Sequence, residues 1–185
     1  MKTLIELRNI VREWSRKNFG GQYSKVVCAE LGSTCPAIGL SEELGEWAAA
    51  QNTTDELDAI SDIGIYLLDL CGREVALREC AYEKIEPDEL AGSPFAGAAV
   101  CIGEISHCIL KRHQGIRGLV SVNVFSEKCS LAIGHLWFYL DRASEEVASI
   151  PIEHAISDTF SKIVGKRDWT TATGKENGGQ GMPAP

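Results

Sequence analysis

Apolar residues recur at helical spacing along almost the whole chain. In the first stretch, Leu4, Leu7, Val11 and Trp14 lie three or four residues apart, which is the period of one helix face. The same pattern predicts helices over residues 2–18, from Pro36 to Asn52, from Asp55 to Cys80, from Phe95 to His113 and over 121–147, and a shorter sixth helix opened by Ser149 and Pro151. No segment alternates apolar and polar residues over the length of a strand. We therefore predict an all-α helical bundle.

Local signals place several of these boundaries. Pro36 suits the first turn of the second helix, where its missing N–H costs nothing. Thr53 and Glu56 have the spacing of a capping box at the start of the third helix. Proline and glycine at 86–94 predict a turn region near the middle of the chain. The elements between these signals are long enough to form one bundle.

Length and composition predict a single all-α domain over residues 1–169, because the chain is long enough for one sizeable core and short for two. Residues 170–185 have almost no apolar side chains to bury, so we predict a flexible tail there; their sequence is TTATGKENGGQGMPAP. A tandem repeat of helix pairs is also suggested. ELGE at 43–46 is similar to EISH at 104–107, and SDIGIYLLDL at 61–70 is similar to LAIGHLWFYL at 131–140. The two alignments need different offsets, so duplication and shared packing faces both explain the match.

Charge and hydropathy narrow the classes of function. The formal net charge of −8 argues against a nucleic-acid-binding surface, which needs clustered cations. No uncharged apolar run is long enough to cross a membrane, and the N-terminus lacks the apolar block of a signal peptide. We expect a soluble, cytoplasmic protein that binds neither nucleic acid nor membranes. Its seven cysteines show no CxxC spacing and are interpreted as reduced core residues.

The candidate chemistry lies in four carboxylates on the second and third helices. Glu43 and Glu46 are three residues apart, and Asp58 and Asp62 are four apart, so each pair shares a helix face. The short connection over 51–54 makes the two helices antiparallel neighbours. Oxygen ligands of this kind suit hard cations such as Mg²⁺ or Mn²⁺. The pattern therefore predicts a metal site between the two helices.

Carboxylates at this spacing also occur on ordinary solvated helix faces. The apolar surroundings favour the metal site here, because Asp62 stands within AISDIGIYLL (59–68), which is mostly apolar and predicts burial. A buried carboxylate needs a partner or a metal ion.

SEELGEW (41–47) followed by DELDAISDIGIYLLDL (55–70) resembles the MazG-like all-α nucleoside triphosphate pyrophosphohydrolases in order and spacing. The family motif is EExxE, a short spacer, and ExxD inside an apolar helix. HCILKRHQGIRG (107–118) and KRDW (166–169) are similar to elements of the phage and bacterial forms. These segments are spread across residues 36–169.

The resemblance implies a four-helix core and hydrolysis of a nucleoside or deoxynucleoside triphosphate to the monophosphate and pyrophosphate. It implies Mg²⁺, with Mn²⁺ as a substitute, and Glu43, Glu46 and Asp62 as catalytic metal ligands. The Glu expected three residues before Asp62 is Ala59 here, so Asp58 is our substitute as the fourth ligand. A homodimer or homotetramer, a purine (especially guanine) substrate, and the host cytoplasm if the protein is viral are further expectations from the resemblance.

Several residues are candidates for substrate binding, because cations and amide groups bind phosphates. These are Lys111, Arg112, Gln114, Arg117, Lys166 and Arg167. Favourable charge at a helix C-terminus explains Lys111 and Arg112 equally well. Trp47 lies four residues after Glu43 and is a candidate to stack on a base, with a core role as the alternative.

Two other classes of protein fit parts of the pattern. A ferritin-like di-iron bundle uses inward Glu residues and two ExxH pairs; Glu104 and His107 form one such pair, and no second one is suitably placed. A non-catalytic helical oligomerisation protein is the other alternative. Stabilisation by Mg²⁺ would favour the enzyme over this last class.

Overall fold

The computed structural model describes residues 2–19, 32–77, 82–116 and 118–166. Across these ranges the regular structure is entirely helical, with no strand, which confirms the all-α prediction. The helices are α1 (Leu4–Phe19), α2 (Thr34–Ala49), α3 (Thr53–Arg73), α4 (Pro94–His113), α5 (Val122–Ala148) and α6 (Ile152–Lys166), with a 3₁₀ turn at Val75–Leu77 after α3.

Two antiparallel helix hairpins form the body of the protein. Helix α2 packs along α3, and α4 packs along α5. Helix α3 lies at the centre, where it also contacts α1, α5 and α6, and α2 contacts α4. Its apolar residues are accordingly buried almost continuously, from Ile60 to Leu70. A carboxylate on the inward face of α3 is therefore surrounded by other helices.

Both hairpins begin with the same close helix contact. Gly39 on α2 lies directly against the ring of Tyr66 on α3, and Gly97 on α4 lies against the ring of Tyr139 on α5. Each glycine is the fourth residue of a Pro-x-x-Gly sequence in the first turns of its helix. The two pairs have the same chain direction and the same small-on-aromatic contact, but neither the glycines nor the tyrosines are aligned with each other in the sequence match of the two halves. The hairpins are therefore similar in packing, in a register different from that of the sequence match.

The boundaries of α3 differ from the sequence prediction. The predicted helix to Cys80 ends at Arg73, where Glu74 turns extended (φ −86°, ψ 108°) before the 3₁₀ turn. The N-cap is Asn52, whose side-chain oxygen accepts hydrogen bonds from the backbone N–H groups of Thr54 and Asp55, both at 3.0 Å. An Asn oxygen at this position caps the orphan N–H groups as well as Thr does.

The sulfur chemistry agrees with the sequence interpretation where the structure describes it. Cys71, Cys101, Cys108 and Cys129 are buried in the core as free thiols, and Cys35 is half-buried. The predicted flexible tail at 170–185 lies outside the described residues. Among the described helices, none offers the continuous apolar length that a bilayer crossing requires.

Candidate functional site

Helices α2 and α3 bring the predicted carboxylates to one surface. Glu43 is only 8% exposed, and Asp62 is half-buried. Glu46 and Asp58 are exposed, each about one turn nearer the loop that joins the two helices. Glu43 is therefore the inner member of the group, and Glu46 and Asp58 lie toward its edge.

Glu43 has the most perturbed environment of the four. Its Oε2 atom is buried and has no hydrogen-bond partner. Burial first, and then the negative charges of Asp62 and Glu46, raise the pKa of Glu43 to about 8. A buried carboxylate among like charges is stabilised by a proton or by a cation. The local electrostatics therefore favour either a protonated Glu43 or a cation beside it.

The donor set also fits a hard divalent cation. All four side chains offer carboxylate oxygens, which Mg²⁺ and Mn²⁺ prefer. In the described part of the chain, no three acidic, His or Cys side chains are arranged to hold an ion as they stand. Binding of such an ion would therefore require the exposed side chains of Glu46 and Asp58 to rotate toward Glu43 and Asp62.

A cavity of about 80 Å³ adjoins the carboxylates, between α1, α2, α3 and α6. We call it the acidic groove; its lining residues are Val11, Trp14, Ser15, Glu43, Asp62, Ile65, Tyr66, Asp69 and Ile163. Tyr66 and Asp69 were not among the residues predicted for the site, although they follow Asp62 at helical spacing, four and seven residues later. No local sequence pattern predicts that α1 lines the groove, because this depends on how helices that are distant in sequence pack together.

Tyr66 lines the same cavity as Glu43 and Asp62 and packs against α2 at Gly39. Its pKa is raised to about 12, first by burial and then by the charges of Glu43, Glu42 and Asp62. The ring reaches this position because Gly39 has no side chain. Gly39 therefore determines the wall of the acidic groove.

Gly39→Ala is expected to destabilise the fold by about 1–3 kcal/mol, since the new methyl group would overlap the Tyr66 ring. Gly45→Ala is the matched control on the same helix, because nothing lies within 4 Å of an added Cβ there. It should instead stabilise by about 0.5–1 kcal/mol through helix propensity. Urea unfolding of both variants measures the difference, and equal effects would show that the Gly39–Tyr66 contact is unimportant.

Trp47 is committed to packing. It is 6% exposed, its ring meets that of Phe95 edge-on at 5.3 Å, and its indole N–H donates to Glu56 at 2.9 Å. These contacts favour the core role of Trp47 over base stacking. The Glu56 carboxylate accepts this hydrogen bond from Trp47, whereas the predicted capping box paired it with Thr53.

The basic end of α4 does not meet the carboxylates within one chain. Lys111 binds Gln114 (2.9 Å), and Arg112 pairs with Glu74 at 3.1 Å, just past the end of α3. Glu74 follows Asp62 by twelve residues, or about 18 Å along a helix axis. Lys111, Arg112 and Gln114 therefore lie at the opposite end of the hairpin from the acidic group.

The remaining predicted substrate-binding residues stay predictions. Arg117 and Arg167 lie outside the described residues. Lys166 is the last residue of α6, and the description of the structure does not extend to its side chain.

The candidate di-iron ligands do not face the interior. Glu104 and His107 on α4 are both exposed, whereas a di-iron site in a bundle needs inward ligands from facing helices. The acidic groove is therefore the better-founded site.

A comparison of the chain with protein-family models, with curated proteins and with solved structures found no match.

Proposed function

We propose that this protein is a metal-dependent nucleoside triphosphate pyrophosphohydrolase. The observation that carries the proposal is Glu43, a buried carboxylate with an unpartnered Oε2 atom beside Asp62 and the exposed Glu46. Such a group is costly without a cation. It opens toward an adjacent cavity, so the same cation has room to contact a ligand.

Glu43, Glu46, Asp58 and Asp62 would hold Mg²⁺ or Mn²⁺ at the edge of the groove. When bound, divalent cations neutralise charge on phosphate oxygens and assist attack by water. Glu43 supplies the fixed, buried anchor, since its position on α2 is set by core packing. Glu46 is exposed beside it and is our candidate to orient the attacking water and accept its proton.

The finer features of the proposal come from the resemblance to MazG-like enzymes. They are release of the monophosphate and pyrophosphate, assembly as a homodimer or homotetramer, and a cytoplasmic location, in a phage host if the protein is viral. Within one chain Lys111 and Arg112 contact Gln114 and Glu74 rather than the carboxylates, so they would bind the phosphates only as residues of a second chain.

Pyrophosphate release from a panel of NTPs and dNTPs, with Mg²⁺, Mn²⁺ or EDTA, tests the proposal. We expect metal-dependent release by the wild type. Glu46→Gln and Asp62→Asn should each lose about 100-fold or more of the turnover, the scale of losing a charge-stabilising group. Circular dichroism should show that both variants remain folded.

Glu146→Gln on α5 is the matched control, because Glu146 is an exposed carboxylate whose ion pair with Arg142 is long, at 3.4 Å. It should keep wild-type turnover. Near-normal activity in both site variants would refute the site assignment.

A further inference from the structure

Two buried cysteines belong to α4 and α5, the helices that do not line the acidic groove. Cys108 on α4 is 5% exposed, and Cys129 on α5 is 0% exposed. Both are reduced in the structure. A cysteine with another cysteine beside it is open to chemistry that a lone core thiol lacks, because the two sulfurs can be joined.

The register of the two antiparallel helices brings these cysteines opposite each other. Gly97 of α4 lies against the ring of Tyr139 of α5, eleven residues before the first cysteine and ten after the second. Toward the other end, the Arg112 guanidinium lies over the Phe125 ring at 4.2 Å, four residues after the first cysteine and four before the second. Both helices rise equally per residue. Contacts at matching separations on both sides therefore place the two cysteines at the same level of the hairpin.

The spacing of packed helices suits a bond between facing cysteines. A disulfide needs Cα atoms about 4.4–6.8 Å apart. The axes of packed helices are about 8–10 Å apart, and each Cα lies about 2.3 Å from its own axis. Residues that face each other directly across two such helices are therefore within the range that a disulfide spans.

The surroundings of the two sulfurs assign them different roles. A hydrogen bond with the Cys129 thiol lowers the pKa of Cys108 against the opposing effect of burial, and the charge of Lys128 lowers it further. The same hydrogen bond, and then burial, raise the pKa of Cys129. The thiolate is the reactive form of a cysteine. Cys108, which also has the more exposed side chain, is therefore the sulfur that reacts first.

We propose that Cys108 and Cys129 are an oxidation site, at which hydrogen peroxide converts the facing thiols to a disulfide bond that joins α4 to α5. The Cys108 thiolate attacks one peroxide oxygen, the O–O bond breaks, and the departing hydroxide takes up a proton to become water. The Cys129 sulfur then attacks the resulting sulfenic acid; the S–S bond forms, the S–O bond breaks, and the hydroxyl group leaves with the Cys129 proton as a second water. Two thiols are oxidised while one peroxide is reduced. A thiol such as dithiothreitol reverses the step by exchange.

Two other buried thiols provide the comparison. Cys71 is 0% exposed and Cys101 is 3% exposed, and burial first raises the pKa of each to about 12. Both therefore retain their protons and react slowly with peroxide. Cys101 lies on α4 seven residues before Cys108, on the same face of the helix. It is the matched control position.

Peptide mapping of the folded wild type after treatment with hydrogen peroxide tests the inference. The remaining thiols are blocked with N-ethylmaleimide during unfolding, and the chain is cut without reduction by trypsin and by a protease specific for glutamate. Cleavage after Glu104 and Lys128 separates Cys108 from Cys101 and from Cys129. We expect the main cross-link to join the Cys108 and Cys129 peptides and to disappear in dithiothreitol. Protein oxidised in urea should instead spread its cross-links over several pairs.

Cys101→Ala should form the same cross-link as the wild type, at a rate within about twofold. Cys108→Ala should leave Cys129 as a thiol under the same treatment. If folded wild type forms no bond between Cys108 and Cys129, or pairs its cysteines as it does in urea, the oxidation site is refuted. A main cross-link from Cys108 or Cys129 to any other cysteine would refute it equally. The result is independent of nucleotide hydrolysis, so it leaves the proposed function untouched.

Discussion

Glu43→Gln is expected to abolish nucleotide hydrolysis and at the same time to stabilise the metal-free protein. The variant removes a metal ligand, so turnover should fall by about 100-fold or more. It also removes a buried carboxyl group that, without a metal ion, must either keep its proton or place a charge beside other carboxylates, and whose Oε2 atom has no hydrogen-bond partner. The gain in stability and the loss of activity have the same cause.

The pH dependence of stability follows from the same residue. The pKa of Glu43 is raised from 4.5 to about 8 in the folded protein. Between these values the unfolded chain has lost the proton that the folded chain retains, so Glu43 makes stability fall as pH rises from about 4.5 to 8. Above and below this window its contribution is constant. Glu43→Gln should lack this decline.

Thermal unfolding at several pH values, in EDTA and in saturating Mg²⁺, measures both effects. We expect Mg²⁺ to stabilise the wild type most near pH 8, where the carboxylate would otherwise repel its neighbours, and to have little effect on the variant. A wild type and variant with the same pH dependence, and the same response to Mg²⁺, would contradict this account of Glu43.

Arg73→Met is expected to destabilise the fold by about 3–5 kcal/mol, because it leaves a buried charge without its main partner. Arg73 binds Asp69 and also donates to the backbone oxygen of Gly32 at 3.1 Å and to the Ser15 hydroxyl at 3.2 Å. The Arg12 guanidinium, 3.6 Å from Asp69 and more exposed, is a poor substitute.

The double variant Asp69→Leu, Arg73→Met separates the contribution of the ion pair with Asp69 from that of the hydrogen bonds that Arg73 donates to Gly32 and Ser15. When both charges are removed, the uncompensated carboxylate disappears, and replacing a whole buried ion pair by apolar residues is often close to neutral. Urea unfolding should therefore show that the double variant recovers most of the lost stability. If the double variant is as unstable as Arg73→Met alone, the lost stability comes from the hydrogen bonds to Gly32 and Ser15 and not from the unpaired carboxylate.

Helical periodicity was sufficient to predict the class of fold and most of the elements. The fourth and fifth helices lie within one or two residues of their predicted ends. Ser93, Pro94 and Gly115 are strong local signals for the ends of the fourth. The third helix was predicted too long because its apolar pattern continues past Arg73 without a glycine or proline for several residues. Its end coincides with the ion pair of Glu74 with Arg112, a contact between distant residues.

The carboxylates of the candidate site could be predicted from their spacing, but their burial and the rest of the groove lining could not. Spacing alone placed Glu43, Glu46, Asp58 and Asp62 on facing helices, and the structure does place them on α2 and α3. Spacing did not distinguish the buried Glu43 from the exposed Glu46, since burial depends on the position of Tyr66 and α1. Asp69 was missed because its partners Arg12 and Arg73 belong to α1 and to the end of α3, and only the folded chain brings them together.

The most direct test of the central claim is ³¹P NMR of the products that the wild type forms from GTP in the presence of Mg²⁺. The proposed function predicts GMP and pyrophosphate in equal amounts, with no product in EDTA. GDP with inorganic phosphate, or the same products without a metal ion, would contradict it.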